Sequence, residues 1–113
     1  MVQQRKSHRF YIDSVLEGNF LNNEKFLVKD ISQDGLNLIS NFLPFIGGTY
    51  RLKIKHKAGT MVIEFQVLHV EDAGYNAKED GIIPMGVLYS VGGKILDLDE
   101  SKNKIIMSLI LGR

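Results

Sequence analysis

The segment Thr49–His56, TYRLKIKH, places the tightest limit on what this chain can fold into. Tyr50, Leu52 and Ile54 alternate with Arg51, Lys53 and Lys55. Side chains alternate between faces along a strand but not along a helix. One apolar and one cationic face therefore predict a half-buried strand in an antiparallel sheet. The same period of two recurs elsewhere. In FYIDSVLE it sets Phe10, Ile12 and Leu16 on one face, and in EKFLVKD it sets Phe26 and Val28 opposite Lys25 and Lys29. In GLNLIS it pairs Leu36 with Leu38, and in IIPMGVLYS it aligns Met85, Val87 and Tyr89. In TMVIEFQVLHVED the face of Met61, Ile63, Phe65 and Val67 gives way to one of Leu68 and Val70, opposite His69 and Glu71. A slip of one residue is the mark of a β-bulge or sharp bend. About six short strands punctuated by glycine predict an antiparallel barrel or sandwich.

The tail breaks the pattern. Residues 97–111 contain no glycine or proline, and Leu98, Ile105, Ile106, Leu109 and Ile110 share one helical stripe. Asp97 is expected to cap this helix with Glu100 as its capping-box partner, and Gly112 stands where a C-terminal cap belongs. Residues 1–9 are polar and basic with no hydrophobic period, so they are expected to form a flexible N-terminal arm. With 113 residues the chain suits one domain. Its expected parts are the arm (1–9), a barrel (10–90) and a closing helix (97–111).

Charge and composition exclude several functions. Lys and Arg number 14 against 13 Asp and Glu, which lacks the positive excess of a dedicated duplex binder, so no DNA partner is expected. The charge is unevenly placed. Arg5, Lys6 and Arg9 precede any acid, and Arg51, Lys53, Lys55 and Lys57 form a stripe. Acids gather at Glu71, Asp72, Glu79 and Asp80, and again at Asp97, Asp99 and Glu100. Cysteine is absent, so disulfides and thiolate metal sites are excluded. His8, His56 and His69 have no metal-ligand spacing, and His69 is expected to be a partly buried, hydrogen-bonded histidine. No nucleophile elbow, Walker loop or dinucleotide fingerprint occurs, so neither an enzyme nor a resident cofactor is expected. Nothing reads as a secretory signal or a membrane span, and the expectation is a cytoplasmic protein without membrane insertion.

Two short patterns remain. Arg5-Lys6-Ser7-His8-Arg9 is an Arg-x-x-x-Arg in the arm, and Asp30-Ile31-Ser32-Gln33-Asp34-Gly35 is an Asp-x-Ser-x-x-Gly between two strands. Taken singly, the first is an ordinary basic tail and the second an ordinary turn. In this order, one strand apart, they form a far more specific combination.

On these residues the chain resembles the PilZ domains, bacterial receptors for the second messenger cyclic di-GMP. Met85-Gly86-Val87-Leu88-Tyr89 is similar to the family's Gly-Val-x-Phe strand, with Tyr89 in the phenylalanine place. The resemblance implies a mainly β fold, a six-stranded antiparallel β-barrel with a C-terminal α-helix. It also implies cyclic di-GMP contacts at Arg5, Arg9, Asp30, Ser32 and Gly35. The chemistry is consistent with those roles. A guanidinium forks onto phosphate or onto guanine O6 and N7, and stacks on the base. A carboxylate at Asp30 accepts from the N1 and N2 edge of guanine. Ser32 adds a hydroxyl, and Gly35 permits a positive φ and close approach to the backbone.

The expected function is a non-catalytic receptor, a monomer or weak dimer, that signals to an unidentified protein effector when the ligand orders the arm. Two alternatives stand beside it. One is a PilZ-like interaction subunit that binds no nucleotide. The other is a small barrel that tracks single-stranded nucleic acid along Arg51, Lys53, Lys55 and Lys57.

Overall fold

The computed structural model describes residues 10–11, 17–20, 24–32, 35–56, 59–79 and 81–110. Its elements in chain order are β1 (Phe10–Tyr11), β2 (Glu17–Phe20), β3 (Lys25–Ile31), β4 (Gly35–Ser40), β5 (Thr49–His56), β6 (Gly59–Asn76), β7 (Gly86–Ile95) and α1 (Glu100–Ile110). The expected arm, Ile12, Leu16, Lys57, Asp80 and Gly112 lie outside the described residues.

The strands run β3-β2-β5-β6-β7-β4, and β4 returns to pair with β3, so the sheet closes into a six-stranded barrel. Every pairing is antiparallel. The two-residue β1 lies beyond β2 on the same side of β3, with Phe10 opposite Ile31 and Tyr11 opposite Asp30. The alternating faces behave as their chemistry demands. Leu52, Ile54, Met61, Ile63, Phe65 and Val67 turn into the barrel and are essentially inaccessible to solvent, while Arg51, Lys53 and Lys55 are exposed. At one end Phe20 meets Phe26, Phe42 and Tyr50 edge to face, with ring centroids 5.4, 5.0 and 5.9 Å apart. That geometry sets a positive ring edge against a negative ring face.

The predicted phase slip in β6 is a bulge. Val67 pairs with Gly93 and His69 with Gly92, so Leu68 is extra. Two features run differently from the sequence reading. β7 continues through Gly92 and Gly93 to Ile95, and the two glycines stand where neighbouring strands press close. Met85 and Val87 are exposed, and of their face only Tyr89 packs against the core.

The helix starts three residues later than the expected 97, and its cap is corrected. Asp99, not Asp97, receives the Lys102 N–H at 2.8 Å, and its carbonyl accepts from Asn103 N at 2.9 Å. Asp97 is drawn away to the barrel. Its carboxylate accepts from the Glu64 N–H at 2.9 Å and from Lys102 Nζ at 2.7 Å, which ties the start of α1 to β6. Ile106 and Leu109 then bury the apolar stripe. Burial pushes the Asp97 carboxyl up, but Lys102 and the Glu64 N–H together outweigh it and hold it below the ordinary aspartate value. A depressed carboxylate stabilises the fold when ionised, and that contribution disappears as pH falls through its folded pKa. Asp97→Asn should therefore lower the melting temperature slightly near pH 6, by less than about 1 kcal/mol of stability for so accessible a pair. Thermal melts in acid should bring mutant and wild type together.

Candidate functional site

The strand pattern alone would send Asp30 into the core. Phe26 and Val28 face inward, and a regular strand would carry Asp30 with them. The β3–β4 register shifts between Val28 and Asp30, however, so Ile31 takes the inward place opposite Leu36 and Asp30 turns to the outer face opposite Asn37. The apolar phase of Phe26, Val28 and Ile31 is consistent with this turn. Asp30 is nonetheless only 4% exposed. Its two carboxylate oxygens accept from Asn37 Nδ2 at 3.1 and 3.2 Å.

Ser32 stands at the end of β3 and is 3% exposed. Its N–H donates to the Gly35 carbonyl at 2.9 Å and its hydroxyl donates to the same oxygen at 3.3 Å. The serine thus pins the connection that carries the second motif. Gly35 differs from expectation in its reason. It does not adopt a positive φ. A Cβ there would stand 2.6 Å from the Gly93 carbonyl oxygen, so glycine is required for β4 to lie tightly against β7. Asp30, Ser32 and Gly35 are therefore brought together at one corner of the barrel. Arg5 and Arg9 lie outside the described residues. Phe10, the residue bonded to Arg9, pairs with Ile31, the residue before Ser32.

The site extends sideways as a row that crosses the sheet. Tyr11, Asp30, Asn37, Gly92 and His69 are successive cross-strand partners on β1, β3, β4, β7 and β6. A side chain at Gly92 would collide with the His69 ring and with Asn37 Oδ1, so these two groups lean over it from either side. His69 is exposed rather than partly buried. Asn37 and Gly92 belong to neither motif. Asn37 is the polar residue between two buried leucines, and its place is legible only once the β3–β4 hairpin is counted out.

The basic stripe on β5 is the solvated face of a half-buried strand. Arg51 Nε pairs with Glu64 Oε1 at 2.9 Å, and Lys53 and Lys55 share that face with Val62 and Thr60 on β6. Among the described residues no aromatic ring is interleaved with it, and a track for nucleic acid needs such rings to stack bases. Also among the described residues, no three His, Asp or Glu side chains gather as a metal site. No described helix is long and apolar enough to cross a membrane.

The described residues thus form a closed six-stranded barrel with the Asp-x-Ser-x-x-Gly segment at an outer corner and a helix after the last strand. The PilZ domain model matches residues 3–112, and the chain belongs to that family. Solved structures agree at the level of the fold. The PilZ domain of YcgR from Escherichia coli, described with c-di-GMP, is 13% identical with a TM-score of 0.70, covering 97% of this chain and 91% of that one. MotI/DgrA of Bacillus subtilis, described as an inhibitor of motility, is 18% identical with a TM-score of 0.66, over 99% of this chain and 51% of its own. The MrkH–c-di-GMP complex of K. pneumonia is 20% identical with a TM-score of 0.65, over 98% and 54%. The chain thus spans about half the length of these last two proteins. No curated protein matches it by sequence.

Proposed function

We propose that this domain is a non-catalytic receptor for cyclic di-GMP that reports ligand level to a protein partner. The observation that carries the reading is the pairing of Phe10 with Ile31. It ties Phe10, the residue that follows the Arg5-x-x-x-Arg9 segment, to the strand end beside Asp30 and Ser32, and this supports a site built from both motifs. On this reading Arg5 and Arg9 bind phosphate and stack on guanine, Asp30 accepts from the guanine N1 and N2 edge, and Ser32 and Gly35 shape the floor. The ligand orders the basic segment over the outer face, and that altered surface is what the partner recognises. Relatives described in complex with c-di-GMP support the choice of ligand.

Calorimetric titration with cyclic di-GMP and with cyclic di-AMP tests it. We expect micromolar affinity or better for the guanine ligand, about −8 kcal/mol on the 1 M scale. Adenine sets an acceptor at N1 against the Asp30 carboxylate, which leaves both groups unpaired. The preference for cyclic di-GMP should therefore be at least about a hundredfold, and Asp30→Ala should erode most of it. An absence of heat and of thermal shift with either dinucleotide would leave the interaction-subunit reading in its place.

A further inference from the structure

Asn37 lies outside both motifs, yet its side chain is in direct contact with the Asp30 carboxylate. Leu36 and Leu38 on either side of it are fully buried, so Asn37 points to the outer face. The orientation of its amide follows from chemistry. The group facing a carboxylate must carry hydrogens, so Nδ2 faces Asp30, donating at 3.1 and 3.2 Å. The carbonyl oxygen is then forced to face the opposite way, toward Gly92. There Oδ1 is shut off from solvent and has no hydrogen-bond donor. A buried acceptor without a donor costs stability, so each one calls for a physical account. Gly92 carries no side chain to strike this oxygen, and the His69 ring leans over the same glycine from the other side.

Guanine presents an unusual edge for such a site. It carries one hydrogen on N1 and two on the exocyclic amine, three donors in one plane. Asp30 supplies two acceptor oxygens, and Asn37 Oδ1 is a third acceptor on the other side of the same amide. We propose that Asn37 is a specificity-determining residue of this site, whose Oδ1 takes a hydrogen of the guanine amine while its Nδ2 holds the Asp30 carboxylate in place for the rest of the edge. The inference rests on the cyclic di-GMP reading above and goes further by naming the atom of the base that Asn37 reads.

Cyclic di-IMP isolates that atom, because hypoxanthine differs from guanine only in lacking the exocyclic amine. Titrating wild type, Asn37→Leu and Asn37→Ala with cyclic di-GMP and cyclic di-IMP compares the two ligands in each protein. Leucine preserves the volume of the amide, and alanine adds no bulk should leucine disturb the fold. Wild type should favour the guanine ligand by at least about tenfold, as a site built around a donor does when that donor is missing. Both variants should bring the ratio below about threefold with little change in melting temperature. A residue that only supported the strand would weaken both ligands equally, so a ratio unchanged in the variants overturns the proposal. A wild type that binds neither ligand overturns the receptor reading itself, and this inference with it. A wild type that binds both equally retains the receptor and removes the role of Asn37.

Discussion

Arg9→Ala should abolish cyclic di-GMP binding, with at least a hundredfold loss of affinity, while leaving the melting temperature of the unliganded protein within a few degrees of wild type. The two halves of this expectation have separate causes. Residues 1–9 have no apolar period, so the segment offers the core little to bury. The guanidinium, by contrast, is the one side chain that meets a phosphate or a guanine edge with two parallel donors and can also lie flat on the base. Truncating one partner of such a charged pair typically costs about 2–5 kcal/mol, because the other partner is left desolvated and alone. Arg9→Lys discriminates further. It keeps the charge but loses the fork, so it should recover only a small part of the binding. Calorimetry and a melt on the same samples decide the matter. A large fall in the melting temperature of free Arg9→Ala would make the residue structural and remove it from the site.

The second large effect falls on Gly93, in a residue pair that the sequence reading passed over. A Cβ at Gly93 would be driven into the carbonyl oxygen of Gln66 and would stand 2.7 Å from Phe65 Cζ. Neither side can yield easily. β7 is held on one side by β4, with Leu36 opposite Gly93, and on the other by β6, with Val67 opposite it. Gly93→Ala should therefore destabilise the fold by about 3 kcal/mol, the upper end of the usual overpacking cost. In a domain of this size that corresponds to a fall of roughly 10 °C or more in melting temperature. Gly81→Ala makes the control, since the nearest neighbouring atom to its Cβ would be at 3.6 Å. Equal melting temperatures for the two variants would mean that the seam is looser than the structure shows.

These cases mark what could be read from the sequence. Periods of two and 3.6 encode burial directly, so β3 to β6, the bulge at Leu68 and the closing helix were legible, whereas β2 and the reach of β7 to Ile95 were not. A family resemblance carried by the two motifs supplied the closed barrel, which alternation alone could not distinguish from a sandwich. What escaped depends on pairs of distant residues. The shift that turns Asp30 outward is a property of β3 and β4 together. The need for glycine at positions 35, 92 and 93 arises from the carbonyls and side chains of neighbouring strands. The helix cap went to Asp99 because Asp97 takes the Glu64 N–H on β6 and Lys102 Nζ instead, and local spacing has no means of foreseeing that competition.

The closure of the barrel also decides how a partner can hold this domain. Around the ring each of the six strands has a neighbour on both sides, so part of its backbone on each side is already paired. An incoming chain cannot extend such a ring by strand addition and must recognise it through side chains. Backbone free for pairing is concentrated in the outer reach of the β6–β7 hairpin. Beyond Leu68, β6 is joined only to β7 among the described residues. That stretch is protected from pairing with copies of itself by the acids Glu71 and Asp72 and by the break in register between Asp72 and Tyr75, where Gly74 has a φ of 93°. Self-association by sheet extension is thus discouraged at the place where the geometry would otherwise allow it, and the outer surface of the ring is left to side-chain recognition.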